Sequence, residues 1–147
     1  MSTTTLTPAL TEAQRASLTK AVLRDAKPMI LAADQLDPDW VAKFCTDGPD
    51  FRIVWFNGRT NTFQEAVQTW KVFTLRAASS KCDCLKEHVQ LLDSETALYS
   101  WQGTMEVREK DGTVLRFNPF SETGLFRKVS ETWKIASKTQ SGVPTRP

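Results

Sequence analysis

The order of patterns along this chain predicts an α+β fold: a strongly curved antiparallel sheet covered by three N-terminal helices, a cone-shaped α+β barrel with an internal pocket. Helical periodicity fills most of the first half, with one short β-rich stretch inside it. Long runs of alternating polarity, divided by turn residues, fill the second half and close on Trp133-Lys134-Ile135. A single twisted sheet must cover its apolar face, and in this layout the helices are the available cover. The 147 residues suit one domain, spanning 1–147, with a sizeable buried core.

Each element has its own signal. Thr11 followed by Gln14 is a capping-box spacing, which satisfies orphan backbone donors at a helix start. From there Leu18, Val22, Ala26, Met29, Ala33 and Leu36 recur at steps of three and four, the stripe of an amphipathic helix. Pro28 lacks a backbone donor and crowds the turn before it, so a kink or a break is expected there. Asp37-Pro38 suits a second start, with Asp as cap and Pro at the first helical position. Trp40, Val41 and Phe44 give that short helix an apolar face, and Asp47-Gly48-Pro49-Asp50 ends it. Residues 51–56 are β-rich and Asn57-Gly58 turns them. A third helix carries Phe63, Ala66, Val67, Trp70 and Phe73 on one stripe and dies in Ala77-Ala78-Ser79-Ser80.

Residues 82–92, 96–109, 113–128 and 132–140 read as strands, with turns at Asp93-Ser94-Glu95, Asp111-Gly112 and Ser130-Glu131. Pro119 interrupts the third of them, and proline cannot donate to a ladder, so a bulge or an edge is expected. Residues 1–10 and 142–147 are expected to be disordered tails, because the chain from Ser141 on is too rich in Gly and Pro to extend a strand.

Composition narrows the function classes. The formal net charge is +2. The densest basic cluster, Arg127-Lys128 with Lys134 and Lys138, reads as a solvated strand face, which argues against nucleic-acid binding. No apolar run reaches the ~20 residues of a membrane span. The first residues lack the basic and apolar regions of a secretory signal. Cys45, Cys82 and Cys84 have no framework spacing, which suggests reduced thiols and a cytoplasmic setting. On a straight strand Cys82, Cys84 and His88 share a face but stretch over about 20 Å, too far for one metal ion. Neither a metal nor a cofactor is expected.

With these elements in place the chain resembles the nuclear transport factor 2-like superfamily and, within it, the SnoaL-like branch. The resemblance spans about residues 12–141. It rests on the element order and on the passage from Phe56-Asn57-Gly58-Arg59 to Phe63-Gln64-Glu65-Ala66-Val67 and Trp70. It also rests on the closing strand, Trp133-Lys134-Ile135-Ala136 ending at Ser141. It implies a pocket and a homodimer built through the outer face of the sheet. The superfamily includes ketosteroid isomerases, limonene-epoxide hydrolases, polyketide cyclases, dehydratases and non-catalytic members, so the fold alone does not decide function. The chain also departs from its relatives. Ser137 and Thr139 stand where closing strands often carry histidine, and Trp55-Phe56 where steroid isomerases place a carboxylate. Arg116 and Asn118 lack the second acid of an Asp-Arg-Asp set.

The candidate catalytic groups are therefore Glu122 and His88. Glu122 lies in an otherwise apolar stretch and, if buried, is a general base. His88 is the one histidine, with the parity of Lys86 and Gln90. Candidate ligand contacts are Phe44, Trp55, Trp70 and Phe120 as an aromatic wall, Asn118 as a pocket amide, and Tyr99 with Trp101. The last two share a face with Met105 that is either the pocket lining or the dimer seam. Two functions fit. One is a cofactor-free acid–base isomerase, cyclase, dehydratase or hydrolase acting on a small apolar oxygenated molecule. The other is a non-catalytic ligand-binding or protein-association module.

Overall fold

A computed structural model of the chain describes residues 8–145. In chain order it contains α1 (Glu12–Asp34), α2 (Trp40–Phe44), β1 (Arg52–Val54), β2 (Thr60–Asn61) and α3 (Phe63–Arg76). The long strands β3 (Ala77–Leu91), β4 (Thr96–Glu109), β5 (Val114–Val129) and β6 (Thr132–Pro144) follow. They form one curved sheet in the order β2-β1-β6-β5-β4-β3, which stays open rather than closing into a barrel. The helices cover its concave side, α1 against β3 and β6, α3 against β1, β2 and β3. One pairing departs from the antiparallel expectation: β1 runs parallel to β6, Ile53 beside Lys138. The β1–β2 hairpin thereby occupies the edge of β6 that a plain meander would leave bare.

Local chemistry explains most boundaries. α1 and α3 both start with complete capping boxes, Thr11 with Gln14 and Thr62 with Glu65, each contributing about 1 kcal/mol. α1 runs through Pro28 as one helix, so of the expected kink or break the break does not occur. Pro28 and Arg24, whose carbonyl loses its partner, both lie on the exposed face, where a freed carbonyl is open to solvent. α2 begins at Trp40 rather than at Pro38. The Asp37 side chain accepts from the Asp39 backbone N–H at 3.0 Å and pairs with Lys43 at 2.6 Å, so it builds the turn before the helix.

The sheet extends further than its sequence suggests at both ends. Ala77–Ser80 belong to β3, which starts directly after α3, and β6 continues through Gly142 to Pro144. Gly142 pairs with Phe120 and lies flat against the Phe117 and Phe120 rings, where a Cβ would come within 2.9 Å of Phe117. Of the rest of the expected tails, residues 8–10 and 145 carry neither helix nor strand, and 1–7 and 146–147 lie outside the described residues.

Beyond the irregularity at Ala78, where β3 begins, three bulges decide which side chains face inward. Asn118 and Pro119 oppose the single residue Thr104, as the proline predicts. Leu85 is the extra residue in β3, between Cys84 opposite Gly103 and Lys86 opposite Gln102. Ala136 is the extra residue in β6, between Ile135 opposite Phe126 and Ser137 opposite Leu125. The β3 bulge presses onto Gly103, where a Cβ would sit 1.7 Å from the Asp83 carbonyl oxygen. Backbone cannot yield as a side-chain tip does, so Gly103→Ala is expected to cost about 3 kcal/mol or more. Urea unfolding of the variant checks this; an unchanged midpoint would show that the bulge is not packed as described.

Candidate functional site

A cavity of about 510 Å³ lies between the helices and the concave face of the sheet. Its helix-side wall is Trp40, Trp55, Trp70 and Phe73, and Met105, Val107 and Leu115 face them from the sheet. The indoles also hold the helical layer together. Trp40 Nε1 donates to the Met29 carbonyl at 2.8 Å, Trp70 Nε1 to the Asp37 carbonyl at 2.5 Å, and Trp55 Nε1 to Asn61 Oδ1 at 2.6 Å. The Trp70 ring lies 5.4 Å from Trp40 and is stacked 6.4 Å from Trp55. Each indole is fixed at its polar tip and packed on its apolar face, so the wall is preformed.

The inner end of the cavity is charged. Glu122 on β5 forms an ion pair with Lys138 on β6, and their side chains are only 14% and 10% exposed. Glu122 Oε1 accepts from Trp101 Nε1 at 3.1 Å, and Oε2 accepts from Gln140 Nε2 at 3.1 Å. The Lys138 ammonium also sits over the Trp40 ring, 4.4 Å from its centroid, a cation–π contact. A carboxylate offers about four acceptor positions, and three are occupied here, so one remains for a ligand. The ammonium likewise keeps N–H groups beyond the one given to Glu122. A smaller cavity of about 40 Å³ shares Trp40, Cys82, Glu122 and Lys138 with the large one and reaches Tyr99, Trp101 and Phe126. It has room for ordered water beside Glu122.

Sheet register assembles this end. Trp101, Glu122 and Gln140 are direct partners across β4, β5 and β6, so they form one row on the concave face. Strict alternation from Trp133 and Ile135 would send Ser137 and Thr139 inward and Lys138 out to solvent. The extra residue Ala136 reverses that parity. Lys138, expected on a solvated basic face, is thus turned into the cavity. Thr139 is exposed on the other side.

The nine candidate residues separate into groups. Glu122, Trp55 and Trp70 line the large cavity, and Tyr99 and Trp101 line the smaller one. This places the Tyr99–Trp101–Met105 face on the concave side rather than at the outer seam. Phe120 is fully buried core against Trp101 and Phe117, and Phe44 is partly buried and packs against the core beside Trp40. Asn118 is exposed in the β5 bulge. His88 is exposed on the outer face opposite Ser100, because the bulge at Leu85 separates its face from that of Cys82 and Cys84. Among the described residues no three His, Cys, Asp or Glu side chains converge as metal ligands. Lys138, Gln140 and Trp40 are site residues that alternation alone does not mark. A lysine at the outward parity of a strand reads as solvated, and only the register of β5 against β6 reverses that reading.

Burial shapes the acid–base character around the pair. The Cys82 thiol is pushed far above its usual range, first by burial and then by the Glu122 and Asp34 carboxylates. Burial pushes the Cys45 thiol up to about 12. The Tyr99 phenol is also raised strongly, by burial and by its 2.8 Å hydrogen bond to Glu87. These groups therefore stay protonated at neutral pH. Asp34 accepts the Cys82 backbone N–H at 3.0 Å on both oxygens, yet its pKa is raised because burial outweighs those bonds. A carboxyl whose pKa is higher folded than unfolded holds its proton more tightly in the folded state. It favours folding at low pH, and that contribution disappears as pH rises from the usual aspartate value of about 4 through the raised one. Asp34→Asn keeps one acceptor for Cys82 and removes the titration. The stability of the variant relative to the parent should therefore climb with pH from about 4 upward. Urea unfolding across a pH series measures it; a difference that does not change with pH would contradict the assignment.

No family model matches the chain, and no curated protein matches it. Solved structures do. A nuclear transport factor 2-like superfamily protein from Salmonella enterica serovar Typhimurium superposes with a TM-score of 0.76 at 11% identity, covering 90% of this chain and 94% of its own. A candidate scytalone dehydratase from Novosphingobium aromaticivorans gives a TM-score of 0.79 at 11% identity, covering 90% and 89%. A type 2 hexachlorocyclohexane dehydrochlorinase (LinA) gives 0.74 at 8% identity, covering 92% and 94%. Identities this low speak for architecture alone, and the architecture agrees across nearly the full length. The chain has the nuclear transport factor 2-like fold.

Proposed function

We propose that this is a SnoaL-like protein that takes a small apolar oxygenated molecule into its cavity and acts on it by cofactor-free acid–base chemistry, as an isomerase, cyclase, dehydratase or hydrolase. The observation that carries the proposal is the Glu122–Lys138 pair at the inner end of an aromatic cavity of about 510 Å³. In this reading Glu122 takes a proton from the ligand, and Lys138 donates to the ligand oxygen on which negative charge develops. Gln140 positions the carboxylate: its Nε2 donates to Glu122 while its Oε1 accepts from the Phe56 backbone N–H at 3.2 Å. Two of the similar structures are named for eliminations, loss of water and loss of hydrogen chloride. An elimination of either kind removes a proton from the substrate, the role this reading gives to Glu122. The free thiols of Cys45, Cys82 and Cys84 are in keeping with a cytoplasmic protein, and no helix among the described residues is long and apolar enough to cross a membrane. The outer face, with Leu98, Leu125 and a row of hydroxyls through Ser100, Thr123 and Thr139, is the surface proposed for a homodimer.

A second reading has its own support. Three donors already hold Glu122, and a carboxylate so engaged also serves simply to balance Lys138 in a non-catalytic binding module.

Tryptophan emission and thermal stability, titrated with terpenoid, steroid and polyketide-like compounds, separate these readings. Four of the five indoles surround the two cavities, so a ligand that fits should both perturb emission and raise the melting temperature. Trp70→Ala is expected to abolish binding. Glu122→Gln is expected to retain binding and lose at least about 100-fold in turnover of a bound substrate. Binding without turnover in the parent would favour the non-catalytic module, and no response to any compound would remove the cavity reading altogether.

A further inference from the structure

We infer that the ligand of this cavity carries a carboxylate, held at the cavity mouth by Arg59. The inference rests on the cavity reading above and adds the chemical class and the orientation of what enters. Five charged side chains line the large cavity: Arg59, Arg76, Glu109, Glu122 and Lys138. Four of them neutralise one another. Arg76 reaches both oxygens of Glu109 at 3.3 Å, and Lys138 pairs with Glu122. Among the described residues the Arg59 guanidinium has neither an ion-pair nor a hydrogen-bond partner. The lining therefore carries one uncompensated positive charge, and it lies at the rim rather than at the inner end.

The backbone beneath that charge is fixed. The Arg59 N–H donates to Asn57 Oδ1 at 3.0 Å, and its carbonyl accepts from the Trp55 N–H at 2.9 Å. Gly58 turns the chain at φ 84° and donates to the Trp55 carbonyl at 2.9 Å. One tight turn thus carries both the indole that walls the cavity and the guanidinium at its mouth. A guanidinium presents its N–H groups as a planar fork that fits a carboxylate with two parallel bonds. A monocarboxylic acid would place its anion at Arg59, its apolar body along Trp55 and Trp70, and its reacting oxygenated end at Glu122 and Lys138. A second free anion has no partner in the lining, so dianions are disfavoured.

Calorimetric titration of the full chain with 1-naphthylacetate, its methyl ester and its primary amide tests this, since the three probes share one apolar body. At low ionic strength the carboxylate should bind about five- to tenfold tighter than the ester or the amide, with the preference shrinking as salt is added. Arg59→Gln should remove the preference while leaving ester affinity and melting temperature unchanged, and Arg59→Lys should keep part of it. Arg59 is exposed in a surface turn, so these variants are expected to fold. Equal affinity for the three probes, or a preference that survives Arg59→Gln, overturns the inference and leaves the cavity reading standing. Binding of none of the probes by the parent protein strikes the cavity reading, and this inference falls with it.

Discussion

A carboxylate and an ammonium withdrawn from water lose hydration that packing alone cannot return, so Glu122 and Lys138 are tolerated inside this cone because they face each other. Much of the surrounding structure follows from that requirement. The carboxylate needs further donors, and the direct register of β4, β5 and β6 supplies Trp101 and Gln140 in the same row. The ammonium needs to point inward, and the extra residue Ala136 sets its parity. Trp40 then covers the ammonium with its ring while its N–H ties α2 to α1. A polar cluster of this kind holds one arrangement of strands and helices against its alternatives, because a slip by one residue would bury an unpaired charge.

The cavity wall and the helical layer are built from the same side chains. Trp40, Trp55 and Trp70 line the open volume, and each uses its N–H to fasten one segment to another. Space remains between helices and sheet because these large rings brace the layer from its side, while Phe120, Phe117 and Trp133 fill the core elsewhere. A wall that is also a brace loses little order when a ligand enters, which favours tight binding of a rigid apolar body.

What was legible in the chain is what local chemistry determines. The capping box at Thr11, the turns at Asn57-Gly58 and Asp111-Gly112, the bulge at Pro119 and the alternation that puts Ala97, Tyr99, Trp101 and Met105 on one face all follow from neighbouring residues, whereas the side of the sheet that this face takes does not. Glu122, Trp55 and Trp70 were legible in the same way, as a carboxylate and indoles in apolar surroundings. The rest depended on register. The bulges at Leu85 and Ala136 carry no proline or glycine of their own. Each puts one extra residue into its strand, which bends it and raises the local twist. Past each of them parity inverts, which moves His88 to the outer face and brings Lys138 and Gln140 inside. Phe120 looks like a wall residue in sequence and is core in space, and Phe44 packs against that core rather than lining the cavity, since composition does not distinguish a lined cavity from a filled one.

Lys138, turned inward, is energetically coupled to Glu122 in this arrangement. A double-mutant cycle with Glu122→Gln, Lys138→Met and the double variant, followed by urea unfolding, tests it most directly. Each single change strands a half-buried charge or amide and should cost about 3 kcal/mol, whereas the double change should recover most of that loss, giving a coupling energy of about 2 kcal/mol. Losses that simply add, to within about 0.3 kcal/mol, would mean that the two side chains do not meet and that the inner end of the cavity is not the charged site described.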